Sequence, residues 1–338
     1  MMIKKLAKRK RTKKELPVRI TNDTVAEHRE RVLAGGRRHK YPVQYTKHKL
    51  VWNTLIISAL GVVVAGVLVY LQLYVWRDGS DVAYRIVKLL PLPVASVDGA
   101  SVPYSDYLFY QRGNMAVLKQ QGQDGDADRV NFQRQRAMDQ AVQDAYVRKI
   151  ARERQISVSD EQVEAEMRRK QQESGMSEEA YRSTIQDQLN WSIEDVRHGV
   201  RASLLRWQVM FTVDTEATRR VETVQQRLSE GKKLADIAQE LGTEAVQFAP
   251  AVTVDRGNQD GGITATAVAL EDGKVSSPVK ALAADGYYFV QPTGRDEGTV
   301  TYAYLKVPLS AFRREFDKVI TENRVHYYIK LDRPSTEQ

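Results

Sequence analysis

Apolar positions along the chain follow three different patterns. From Leu50 to Trp76, "LVWNTLIISALGVVVAGVLVYLQLYVW", no residue is charged, and about 20 apolar residues are enough to cross a bilayer as a helix. Between residues 130 and 211 apolar residues recur at helical spacing: Met138, Val142 and Ala145; Val163 and Met167; Tyr181, Ile185 and Leu189; Val196, Val200, Leu204 and Trp207. Elsewhere the apolar runs shorten to strand length. They include "VASV", "WQVMFTV" at 207 to 213, "QFAPAVTV", "GYYFV", "TVTYAYLKV" and "VHYYIKL". The last alternates Val325, Tyr327, Ile329 and Leu331 with His326, Tyr328 and Lys330, which places the second set on a wet face. Together these patterns predict an α+β protein with a single transmembrane helix, a mostly helical domain, a small α/β domain and a strand-helix-strand tail.

Punctuation residues sharpen the boundaries. Asp98-Gly99 between apolar runs predicts a hairpin turn, and the helix after it is expected to start at Ser105. "QGQDGDAD" at 121 to 128 reads as a loop. Ser159 with Gln162 three residues on, bracketed by Val158 and Val163, predicts a capped helix start, and Ser192 with Asp195 repeats the device. Ser177 is a third cap, with Gly175 placed to end the preceding helix. Several helical stripes are thin. Sparse, polar helices leave grooves and apolar patches that can hold an extended chain.

Charge changes the picture at one end only. The net charge is +8, but residues 1 to 49 hold 16 lysines and arginines against four acidic residues. Arg37, Arg38, Lys40, Lys47 and Lys49 crowd the N-terminal flank of the apolar stretch, whereas Arg77, Asp78, Asp81, Arg85 and Lys88 nearly balance on the other. The positive-inside rule then puts residues 1 to 49 in the cytoplasm and residues 77 to 338 outside it, in a single-pass cell-membrane protein. A cleaved signal peptide has a shorter apolar core and small residues at a cleavage site, and neither is present. The cluster "KKLAKRKRTKK" at 4 to 14 suits contact with anionic lipid. No aromatic residue is interleaved with it, which argues against specific nucleic-acid binding. Cysteine is absent, excluding disulfides and thiolate chemistry.

Three stretches resemble a known family. "VASVDGASVPYSDY", "MDQAVQDAYVRKIARERQISVSDEQVEAEMRRKQQESGMSEEAYRSTI" and "WSIEDVRHGVRASLL" are similar, in order and in combination, to the N-terminal chaperone domain of SurA-, PrsA- and PpiD-type foldases. The resemblance covers about residues 94 to 206. It implies a parvulin-type prolyl isomerase module next, and residues 207 to 296 have that outline, closing in "GKVSSPVK" and "DGYYFV". The domains expected are a basic tail (1–49), a transmembrane helix (50–76), a connector (77–93), a chaperone domain (94–206), a parvulin-like domain (207–296) and a C-terminal tail (297–338).

In parvulins a histidine pair organises a pocket that favours the twisted X-Pro amide. The resemblance places Gln208 and Tyr288 at those two positions, and with Met210 they are the candidate substrate-binding residues. Neither Gln208 nor Tyr288 titrates near neutral pH. The ten residues between Gly262 and Gly273 replace a longer segment that usually bears the proline-gripping Met and Phe. The module is therefore expected to be degenerate, with no catalytic residue assigned. His198 lies off its helix stripe and reads as a solvated position. Tyr302, Tyr304, Tyr327 and Tyr328 are candidates for an aromatic platform, with ordinary sheet packing as the alternative. No spacing of His, Asp and Glu suggests a metal site, and no cofactor motif is present. The functional expectation is an extracytoplasmic chaperone for unfolded or newly exported polypeptides. An active prolyl isomerase, and a bitopic envelope scaffold with a partner-binding basic head, remain open.

Overall fold

The computed structural model describes residues 21–40, 43–283 and 285–331, with the backbone alone for 37–40 and 43–49. The basic cluster at 4–14 lies outside the described residues, as do the side chains of Arg37, Arg38, Lys40, Lys47 and Lys49. The chain divides into two units, Met1–Leu71 and Gln72–Gln338.

In the first unit, α1 (Asn22–Lys40) is a helix that the tail reading did not anticipate, and α2 (Val43–Tyr70) carries the apolar stretch. Helix continues through a π-helical turn at Leu71–Val75. Residues Leu50–Val75 are long and apolar enough to cross a membrane, with a mean hydropathy of 2.5.

The second unit begins with the last residues of that stretch. Leu73 is buried, and its carbonyl accepts from the Tyr104 hydroxyl at 2.6 Å. The Tyr74 hydroxyl donates to the Pro93 carbonyl at 2.6 Å. Ser80 then caps α3 (Asp81–Leu89), a helix inside the segment read as a connector. Strands β1 (Pro93–Val97) and β2 (Ala100–Pro103) form the expected hairpin. Its turn residues Asp98 and Gly99 both have positive φ, 47° and 78°, as the tight turn between twisted strands requires. Helices α4 (Tyr104–Gln120) and α5 (Ala127–Glu153) pack through Tyr107, Leu108, Met138 and Val142, all buried.

Next come α6 (Asp160–Glu173), α7 (Glu178–Leu189) and α8 (Ile193–Val213). All three serine caps are present. Ser159 with Gln162, and Ser192 with Asp195, make complete capping boxes, and Ser177 accepts from the Ala180 N–H. Gly175 has φ of 67°, as a helix-ending residue needs.

Residues 207–213, expected as a strand, are the last two turns of α8. The reason is continuity: Phe211 extends the stripe of Val200, Leu204 and Trp207 at helical spacing, and no turn residue interrupts the helix before Asp214. Helices α9 (Thr215–Ser229) and α10 (Leu234–Leu241) follow, then β3 (Gln247–Asp255), α11 (Ile263–Ala269), β4 (Val279–Lys280), β5 (Gly286–Arg295) and β6 (Thr299–Pro308). The strands form an antiparallel sheet in the order β3-β6-β5-β4. One face packs Phe211, Val224, Ile237, Tyr287, Phe289 and Leu305, and the other packs Ile263, Ala267, Tyr288, Val290 and Tyr302.

The strand, helix and strand expected at 299–331 all form, but they serve different parts of the unit. Strand β6 lies inside the four-stranded sheet. Helix α12 (Ala311–Thr321) sets Phe312 against Tyr146 of α5 at 5.9 Å, and β7 (Val325–Tyr327) pairs with β1. His326, Tyr328 and Lys330 are exposed, as the alternation predicts.

Asp195 ties α3, α4 and α8 together. It accepts from the Tyr84 hydroxyl at 2.6 Å, from Lys88 at 3.1 Å and from the Ser192 N–H at 3.0 Å, with Arg112 at 3.7 Å. Burial works against its charge, yet the hydrogen bonds from Tyr84, Ser192 and Lys88 outweigh it and hold the carboxyl at about 2. An unfolded aspartate titrates at about 3.9, so this contribution is complete above about pH 4 to 5 and is lost as pH falls through the folded value. Denaturant midpoints measured from pH 5 down to pH 2 are expected to fall for the native chain. They should fall less steeply for Asp195→Asn.

Candidate polypeptide-binding trough

Two adjoining clefts in the second unit form the candidate site. The first, about 330 Å3, is walled by α4, α7 and α8, with Phe109, Tyr181, Ile185, Leu189, Trp191 and Val200 among its lining residues. Its floor is the Trp191 ring stacked on Phe109, with centroids 4.4 Å apart, and the indole N–H donates to the Phe109 carbonyl at 3.3 Å. A Cβ at Gly113 would lie 2.9 Å from the Trp191 ring, so only glycine lets α4 carry this stack unshifted. Helix α7 has no buried residue. Its thin stripe of Tyr181, Ile185 and Leu189 therefore faces the cleft and leaves it open.

The second cleft, about 590 Å3, lies between α6, α8 and the sheet, and it shares Lys170 and Ser203 with the first. Leu204, Trp207, Ile263, Ala281 and Leu282 supply apolar wall, while Glu166, Arg169 and Glu173 supply a charged rim. The Trp207 indole N–H donates to the Ala281 carbonyl at 3.0 Å, pinning α8 to the segment after β4.

Three polar atoms on residues lining the trough are buried without a hydrogen-bond partner: Gln140 Oε1 and Arg206 Nε in the first cleft, and Asp285 Oδ1 in the second. Such atoms are costly to leave unpaired. They lie beneath the cleft walls, out of reach of solvent, so the accessible lining of the trough is mainly apolar in the first cleft and mixed in the second.

Of the three candidate substrate-binding residues, Tyr288 lines the trough, and Gln208 and Met210 do not. Burial, and then Asp285, which accepts from its hydroxyl at 2.9 Å, push the phenol pKa up, so it stays a neutral donor. Gln208 is half-buried on α8 outside both clefts. Met210 packs in the cluster around Phe211 and Tyr287, across the sheet from Tyr288. Alternation along β5 is the cause, since Tyr287 and Tyr288 point to opposite faces. The three residues are thus not brought into one pocket.

Two further expectations change. His198 is not simply solvated: Nε2 lies 3.3 Å from Asp106 Oδ1, and the ring meets Phe109 edge-on at 5.1 Å, because α4 packs along that side of α8. The four tyrosines form no single platform. Tyr302 and Tyr304 belong to the four-stranded sheet, whereas Tyr327 pairs with Ala95 in the other. Among the described residues no group of three or more His, Cys, Asp or Glu is placed to hold a metal ion. Sequence reasoning missed Gln140, Arg206 and Asp285. The thin stripes were its one indication that a groove exists.

No curated protein and no solved structure matches the chain. Residues 45–210, which carry the first cleft and the α6 and α8 wall of the second, match the family model of the SurA-like N-terminal domain, a match that supports kinship with the SurA/PrsA/PpiD family of folding factors.

Proposed function

We propose that this protein is a membrane-anchored chaperone that holds unfolded or newly exported polypeptides outside the cytoplasm. The observation that carries the reading is the trough, in which the apolar floor of Trp191 on Phe109 lies open beside the unburied stripe of Tyr181, Ile185 and Leu189. An extended chain supplies the complement, large apolar side chains for the floor and for the Leu204 and Trp207 wall of the second cleft. Binding through generic apolar contacts tolerates many sequences, as a chaperone must.

In this reading Leu50–Val75 spans the cell membrane once with residues 1–49 on the cytoplasmic side, and the basic tail touches anionic lipid without specific nucleic-acid recognition. Residues 94–206 form the chaperone domain. Residues 207–296 are a degenerate parvulin-like module, with Gln208 and Tyr288 where an active module has histidines. The absence of a titrating pair there supports binding rather than catalysis.

The full chain in liposomes is expected to suppress light scattering from a denatured envelope protein at near-equimolar ratio. No suppression would remove the reading. Deleting residues 1–40 should leave suppression intact, whereas its loss would favour the scaffold. Cis/trans exchange of an Ala-Pro peptide is expected to run at the buffer rate. This assay requires the whole chain, since a fragment ending at residue 296 lacks β6, an interior strand of its sheet. Exchange clearly above buffer would establish an active isomerase.

A further inference from the structure

We infer that α3 is a second contact with the bilayer, lying in the headgroup zone beside the point where the chain leaves it. The inference rests on the reading that Leu50–Val75 spans the membrane.

Helix α3 has two apolar faces. Ala83, Tyr84 and Val87 are buried in the globular unit. On the other side Val82, Ile86 and Leu89 follow at i, i+4 and i+7, with Arg85 between them. Val82 is 60% exposed and Leu89 83%, and Leu90 continues the patch at 46%. A helix packed on a globular core ordinarily turns charges outward. Here the outward stripe is apolar with the exposed Arg85 beside it, an apolar and basic pairing that suits a helix lying in a membrane interface.

Continuity with the apolar stretch says what covers this face. Only Trp76 to Ser80 separate Val75 from α3. Val75 and Trp76, 50% and 66% exposed, carry apolar residues along the chain from the stretch toward α3, and Trp76 has the amphipathic ring that favours the headgroup level. The end of the stretch is also fastened to the same unit: Tyr74 donates to the Pro93 carbonyl, three residues beyond Leu90, and Tyr104 donates to the Leu73 carbonyl. A body held this close to the bilayer surface by its first residues keeps α3 within reach of lipid. The occupant is therefore the lipid surface, not a protein partner.

The chain contains no cysteine, so single cysteines can carry nitroxide labels in the otherwise native full chain. In liposomes of phosphatidylethanolamine and phosphatidylglycerol, labels at Val82→Cys and Leu89→Cys are expected to favour lipid-soluble oxygen over an aqueous nickel chelate. The ratio should exceed that at the exposed Met176→Cys by at least about threefold, as for a helix 5 to 10 Å into the interface. Leu60→Cys reports insertion of the span itself. Lipid exposure at Leu60 with water at both α3 sites would overturn the inference and leave the single-pass reading standing. Water at all three would overturn both.

Discussion

Replacing Asp214 by alanine is expected to destabilise the globular unit by about 2 to 4 kcal/mol, a large share of the stability of an ordinary domain. Asp214 is almost fully buried, and its two carboxylate oxygens accept from three backbone N–H groups. Ala217 donates at 2.9 Å across the start of α9, and Ser310 and Ala311 donate at 2.7 and 2.9 Å from the start of α12. A helix-cap carboxylate is worth about 1 kcal/mol on its own, and stranding two further donors adds about 1 to 3 kcal/mol. The aspartate also joins distant parts of the unit, because α12 leads from the sheet back to α5 and β7. Urea unfolding should show the loss, and amide exchange should accelerate over residues 311–327 more than over α4 and α5. Asp214→Asn keeps one of the two acceptor oxygens, so its rescue should be partial. A change under about 1 kcal/mol would mean that water substitutes for the carboxylate and that Asp214 does not stitch the helical and sheet parts together.

The second large effect concerns function. Ile185→Asp is expected to weaken capture of unfolded polypeptide at least about tenfold, because a carboxylate in the first cleft must shed water beside Trp191 and Leu189 whenever an apolar side chain enters. The fold should tolerate the change, since α7 buries no residue and Ile185 is itself half exposed. Unfolding midpoints near native, together with lost suppression of aggregation, would locate the binding surface. Arg182→Ala, at an exposed position of α7 where the arginine pairs with Glu178 at 2.9 Å, should leave capture unchanged. Equal activity in all three proteins would place client binding elsewhere.

What was legible in the sequence was whatever a few neighbouring residues decide among themselves. Ser159, Ser177 and Ser192 mark helix starts because a cap satisfies N–H groups within one turn. Asp98-Gly99 makes a hairpin because both residues accept positive φ. The uncharged run from Leu50 is apolar enough for a membrane by composition alone. Conformation and placement that depend on distant partners were not legible in this way. Residues 207–213 have strand-like composition, yet they continue the helical stripe of α8, and the packing of Trp207 and Phe211 against Ala281 and Tyr287, far along the chain, decides for the helix. The tail's strand and helix were visible, but only the folded chain sends β6 into the sheet and β7 to β1. The trough likewise collects Phe109, Arg206 and Asp285 from segments with no local relation. Capping and turn energies act over a handful of residues, whereas the choice of a strand's neighbour or a cleft's wall is settled by the free energy of packing the whole unit at once.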